Sequence, residues 1–231
     1  MVDFQNPLLW AVLIGWILSV VLHEFAHGLV AWWGGDYTIR ERGGLTLNPL
    51  QYIDPMMSII LPVIFLLMGG VPLPGGSTYI RRDLLRNKFW ESAVSLAGPA
   101  MNFLIFLILC AFLHPRAGWI NETLPVVDWS TAQKFVAGMA YLQLYAVLLN
   151  LIPVPPLDGF QMIAPYLPVD LRVKLSTPPW SSMLFFTYFL VIMNSVRLQF
   201  ELIRIMARVM VAMGVNPWLA YQAFGELFRQ K

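Results

Sequence analysis

Two imidazoles and a carboxylate fall within five positions of one strongly apolar run, VVLHEFAHGLVAWWGGD at residues 20–36. On a helix, His23 and His27 leave the same face one turn apart and can grip a single ion, while Glu24 projects about 100° round the axis. This is the HExxH arrangement, in which two neutral imidazoles hold a divalent cation and the adjacent carboxylate takes a proton from activated water. The chain has three histidines, and chance would place them in this pattern roughly once in a thousand such sequences. The competing reading is a buried histidine pair bonded to neighbouring helices. That reading weakens in lipid, where an ionisable group near the bilayer centre costs about 2.5 kcal/mol or more and three on adjacent turns call for a compensating cation.

A catalytic zinc keeps one position open to water and needs a third protein ligand. Intramembrane carboxylates are few here, and the best placed is Asp158 in NLIPVPPLDG, residues 150–159. Pro153, Pro155 and Pro156 stop a helix and force an extended path, and Gly159 permits close approach. Such a segment can return a carboxylate toward a helix bundle. An ordinary solvated aspartate after a proline turn is the alternative.

The elements that must position these groups are membrane helices. The chain is 58% hydrophobic and 12% charged, with mean hydropathy +0.65 and net charge +2. Soluble domains carry about twice that share of charge, and no basic run has the length of a nucleic-acid tail, so nucleic acid is excluded as a partner. Asn6-Pro7 and Gly34-Gly35 bracket a first helix of about 40 Å, longer than the hydrocarbon slab. It reads as a retained span, not a signal peptide. Residues 56–70 are apolar but short and contain Pro62, which favours a re-entrant or shallow segment. If they do not cross, Arg40, Arg42, Arg81, Arg82, Arg86 and Lys88 share one face, as the positive-inside rule prefers.

Further spans are expected at Phe89 to Leu113 and Phe135 to Ile152, joined by a charge-balanced loop, with Arg172 and Lys174 back on the basic side. This parity brings the C-terminal ends of the first and third spans to one leaflet and Asp158 to the level of His27. Met183 onward turns amphipathic, with Arg197, Glu201, Arg204 and Arg208 on one helical face, as in an ion-paired stripe. Cys110 lies in an apolar run and allows no disulfide framework; His114, at a span end before a proline, reads as interfacial.

HEFAHG at 23–28, AGPAMN at 97–102 and NLIPVPPLDG at 150–159, in this order, resemble the site-2 protease family of intramembrane zinc metalloproteases. LTLNPLQYIDP, residues 45–55, is similar to compact prokaryotic members, with Tyr52 where relatives often have histidine and Phe160 where they have a second glycine. The resemblance implies zinc ligation by His23, His27 and Asp158, with Glu24 as general base. It also implies that PGGSTYI, residues 74–80, carries Gly75 and Gly76 on an edge strand that pairs with an unwound substrate; a plain Pro-Gly turn is the other reading. Asn102 and Asn150 serve either as polar glue between helices or, for Asn150 especially, as contacts to substrate or oxyanion.

The expected fold is an all-α polytopic membrane protein with about four to six transmembrane helices, a re-entrant or short segment, and a small β element near the active site. It would be one membrane-embedded domain over 1–231, with the catalytic core at about 7–160 and a helical region at 161–231. The expected activity is hydrolysis, with Zn2+, of peptide bonds in or near transmembrane segments of a membrane-protein substrate. The expected location is a prokaryotic cell membrane, basic loops and active-site opening facing the cytoplasm, with oligomeric state open. A zinc-binding scaffold or transporter is the alternative, though Glu24 argues against a scaffold and no inverted repeat is visible; so is a peptidase of another HExxH clan with a distant Glu as third ligand.

Overall fold

The computed structural model describes residues 5–60, 62–64 and 75–228. Local chemistry sets its helices. In α1, Pro7–Gly34, the Asn6 side chain accepts from the Leu8 amide at the start, and Gly35 ends the helix at φ 122°, a conformation that glycine adopts without strain. In α2, Lys88–Leu113, the Asn87 side chain accepts from the Trp90 amide. In α3, Thr131–Asn150, Ser130 and Gln133 form a reciprocal capping box, which satisfies two orphan amides. That box starts α3 four residues ahead of the expected Phe135.

These three helices are long and apolar enough to cross a membrane. A fourth crossing exists if α6, Trp180–Asn194, and α7, Val196–Ala212, form one span bent by 83°. Among the described residues the expected four to six spans are therefore reached only at their lower bound, and only with that bent pair. Between the long helices lie the short α4, Asp158–Ile163, and α5, Val169–Ser176; α8, Pro217–Gly225, follows α7.

The main apolar core joins α2 and α3 to the C-terminal helices through Phe106, Leu144, Met206, Met210, Ala220 and Ala223, all fully buried. It takes in Cys110, which is a packed thiol. Within a bilayer such contacts act through close van der Waals packing, since lipid tails are as apolar as these side chains, and through them the C-terminal region packs on the α2–α3 pair. The charged stripe on α7 carries an exposed Arg204–Glu201 ion pair at 2.7 Å. His114 braces the turn that follows α2: its Nδ1 accepts from the Arg116 amide, and its ring packs on Gly214.

The loops at the C-terminal end of α1 and before α2 come together. The Arg86 amide donates to the Gly34 carbonyl at 2.9 Å, and the Arg81 amide to Asp36 at 2.9 Å. The Ser58 hydroxyl donates to the Gly75 carbonyl at 2.6 Å, so the chain flanking residues 59–74 leaves and returns at the same place. Pro55–Ile60 is a single π-helical turn and residues 62–64 are helical; residue 61 and residues 65–70 of the expected re-entrant stretch lie outside the described residues.

The expected β element does not form among the described residues. Residues 75–81 have no second strand beside them, because their tethered main-chain groups bond to loops and side chains instead of a ladder. A strand needs a partner chain, and the fold supplies none here.

Candidate active site

The C-terminal half of α1 carries His23, Glu24 and His27, all buried at 8, 6 and 5% exposure. The helix alone sets their spacing, but α2 orients the second imidazole. His27 Nδ1–H donates to the Val94 carbonyl at 2.6 Å, which leaves Nε2 as the basic nitrogen, the arrangement by which a metal-binding histidine is held. Pro99 lies inside the same helix, and its missing N–H removes the ladder donor to the Ser95 carbonyl, next to Val94.

Asp158 opens α4 directly after the proline segment. Its Oδ2 lies 3.2 Å from His23 Nε2 and its Oδ1 3.3 Å from His27 Nε2, while the two Nε2 atoms are 3.0 Å apart. Ligand atoms from all three residues thus fall within 4.8 Å of one another. As a metal ligand Asp158 would act in its ionised form, with both imidazoles neutral. Gly159 lets the loop close: a Cβ there would collide with the Leu151 carbonyl.

Gly98 on α2 packs over the pair. A Cβ at that position would collide with both His23 Nε2 and His27 Nε2, so only a glycine leaves these two nitrogens their space. The AGPAMN motif marks this stretch, yet neither Gly98 nor the Val94 carbonyl stands out in the sequence as part of the site.

Opposite the ligands, Glu24 meets the strip 75–81. A Cβ on Gly76 would stand 3.0 Å from Glu24 Cγ and 3.4 Å from its Oε1, and the Thr78 hydroxyl donates to the Glu24 carbonyl at 3.3 Å. Tethers alternate along this strip. The Gly75 carbonyl accepts from Ser58 at 2.6 Å, the Ser77 amide donates to Tyr52 at 3.0 Å, the Tyr79 carbonyl accepts from Arg42 at 3.0 Å, and the Arg81 amide donates to Asp36 at 2.9 Å. In an extended chain alternate residues face opposite ways, so the main-chain groups of Gly76 and Thr78 face away from these partners. They have no backbone partner among the described residues.

The other residues singled out from sequence lie at different depths. Asn150 is the last residue of α3, half-buried, and precedes the Leu151 carbonyl that packs on Gly159. Asn102 sits one turn beyond Gly98 in the interior, 4% exposed, and its Oδ1 has no hydrogen-bond partner among the described residues. Tyr52 is buried, and its hydroxyl donates to the Thr46 carbonyl at 2.6 Å. Burial pushes the phenol up in spite of that bond, so it stays neutral and braces the loop. Phe160 is a core residue at 2% exposure.

No family model matches the chain, and no solved structure matches it. Curated proteins do. "Putative zinc metalloprotease Rip2" of Mycolicibacterium smegmatis is 39% identical over 170 residues, 73% of this chain and 62% of that protein. The protein of the same name from Mycobacterium tuberculosis is 38% identical over 156 residues, 68% of this chain and 57% of its own. "Putative zinc metalloprotease YwhC" of Bacillus subtilis is 32% identical over 164 residues, covering 69% of this chain and 70% of YwhC. The chain belongs to the site-2 protease family. It spans less than two thirds of the length of the mycobacterial relatives.

Zinc is the cofactor of these site-2 protease relatives by name, and the residues present fit it. Two imidazole nitrogens and one carboxylate converge from three elements, a donor set that leaves the fourth tetrahedral position open. Space for it depends on Gly98, and the outer hydrogen bond that holds a zinc histidine is already made by Val94.

Proposed function

We propose that this site-2 protease hydrolyses peptide bonds in or near the transmembrane segments of other membrane proteins. His23, His27 and Asp158 would hold zinc, which supplies a Lewis acid for the scissile carbonyl and acidifies water at its open position. Glu24 is the general base: it takes the proton of the attacking water and delivers it to the leaving amine. Its burial between α1 and the strip 75–81 keeps bulk water from competing for the carboxylate.

A helical peptide bond is hidden by its own side chains, so the substrate must unwind to be cut. The main-chain groups of Gly76 and Thr78 offer an unwound segment the hydrogen bonds it loses, by addition of a strand to a free edge. The lack of a side chain at Gly76 lets that segment approach Glu24. Gly75 anchors the strip through Ser58. Asn150, beside the ligand loop, contacts the substrate or its oxyanion; Asn102, deeper in the interior, reaches it only through a group that bridges to its unpartnered Oδ1. The basic residues gathered beside the site, Arg42, Arg81 and Arg82, face the cytoplasm under the positive-inside rule, and water and substrate reach the site from there.

The observation that supports this reading is that Glu24 lies between three side chains that could hold a metal and the strip 75–81, whose Gly76 and Thr78 main-chain groups have no backbone partner among the described residues. A metal scaffold needs neither the base nor the edge. The test is incubation of the purified, zinc-loaded protein in lipid with a single-span protein, with products mapped by mass spectrometry. Asp158→Ala is expected to bind zinc at least about 100-fold more weakly, judged against the effect of perturbing less direct ligand partners, and to cut nothing. Full zinc content in that variant would move the third ligand elsewhere. Zinc bound by the wild type with no turnover of any membrane substrate would support a scaffold or transporter instead.

A further inference from the structure

Asp36 is fully buried at 0% exposure and follows the helix stop of α1 directly, its amide donating to the Ala31 carbonyl at 3.0 Å. A buried carboxylate is tolerated only when its oxygens are paired. Here they accept from Arg42 Nη2 at 3.0 and 2.9 Å, from the Thr38 hydroxyl, and from the Arg81 amide at 2.9 Å. The same guanidinium uses Nη1 to donate to the Tyr79 carbonyl at 3.0 Å and stands 5.1 Å from the centre of the Tyr79 ring.

The Asp36–Arg42 pair therefore holds two of the four tethered main-chain groups of the strip 75–81. The other two, on Gly75 and Ser77, go to residues 52–58, which are not part of α1. Among the described residues, Asp36 and Arg42 tie Tyr79 and Arg81, at the far end of the strip, to the turn that ends the helix carrying His23, Glu24 and His27, and they act beside the Thr78 bond to the Glu24 carbonyl. The chemistry constrains this link. A one-residue slip of an extended chain turns every main-chain group to the opposite side, so it would direct the groups of Gly76 and Thr78 inward. It would also move any strand paired with them by about 3.3 Å along its axis.

We propose that Asp36 and Arg42 are positioning residues that set the register of the strip over Glu24, and so decide which peptide bond of an unwound substrate is cut. This rests on the protease reading above. Arginine suits the role because its planar fork serves the carboxylate and the carbonyl at once; a lysine at position 42 can pair with Asp36 but cannot span both.

The test compares wild type, Arg42→Gln and Arg42→Lys, each full-length, zinc-loaded and in lipid, on one single-span substrate. Arg42→Gln leaves the buried Asp36 with only the Thr38 and Arg81 bonds and is expected to lower the melting temperature, whereas Arg42→Lys keeps a charge beside it; zinc content and melting temperature check that both variants fold. Arg42→Gln is expected to lower kcat/KM by about a hundredfold, the effect of a misplacement of about 1 Å. Its products should map to more than one bond, and Arg42→Lys should fall between the two. Amide exchange at residues 77–81 should quicken in Arg42→Gln, also in a Glu24→Gln background where nothing is cut. A single unchanged cleavage bond at an unchanged rate, with unchanged exchange, would overturn the register role alone. A wild type that cuts no membrane substrate would overturn the protease reading beneath it.

Discussion

An alanine at position 98 is expected to cost the protein its zinc while leaving its helices in place. The added methyl group would collide with the Nε2 atoms of both His23 and His27. Either α1 and α2 separate locally, at an overpacking cost of about 1–3 kcal/mol, or the imidazoles rotate. The second outcome breaks the His27 Nδ1–Val94 hydrogen bond. Both move the ligand nitrogens, and a shift of about 1 Å at such a site lowers turnover by about a hundredfold. Zinc measured by atomic emission after dialysis, beside far-ultraviolet circular dichroism, checks this. Gly138→Ala is the matched control, because the nearest atoms to a Cβ there are 3.7 Å away, ordinary packing distance. Full zinc occupancy in Gly98→Ala would mean that the metal does not lie where the two imidazoles meet.

Glu24→Gln separates binding from chemistry. The amide matches the carboxylate in size, so the packing against Gly76 and the main-chain bond from Thr78 persist. An amide cannot accept the proton of the attacking water. Turnover should fall by about 100- to 10,000-fold, the usual contribution of a placed general base, with zinc content unchanged. Asp158→Ala should lose both. Hydrolysis at the wild-type rate by Glu24→Gln would remove that residue from the role of base.

What is legible in the sequence is local. The helix phase that aligns His23 with His27 depends on 3.6 residues per turn and nothing else. The ends of α1 follow from Asn6, Pro7 and the glycine pair, each acting on its own neighbours. The start of α3 departs from the hydropathy pattern because Ser130 and Gln133, polar enough to pass for loop, form a capping box. The level of Asp158, expected from the parity of the long spans, is legible too: it lies within 3.3 Å of both imidazoles.

Only the tertiary structure decided the rest. The Val94 carbonyl that orients His27 is a main-chain group, which every residue type possesses, so no side-chain pattern announces it. Gly98 is required because another helix comes within contact distance, and interhelical distance is not encoded by any single segment. The strip 75–81 has the residue types of a strand, but pairing requires a second chain at about 4.8 Å, and the fold surrounds it with loops. Asp36 and Arg42 have the look of ordinary loop charges beside a glycine stop; burial of the carboxylate, set by how residues 36–48 and 75–81 stack at the end of α1, turns them into a single paired unit. Short-range steric and hydrogen-bonding rules act along the chain and can be read from it, whereas close approach between distant segments is the summed result of packing the whole molecule.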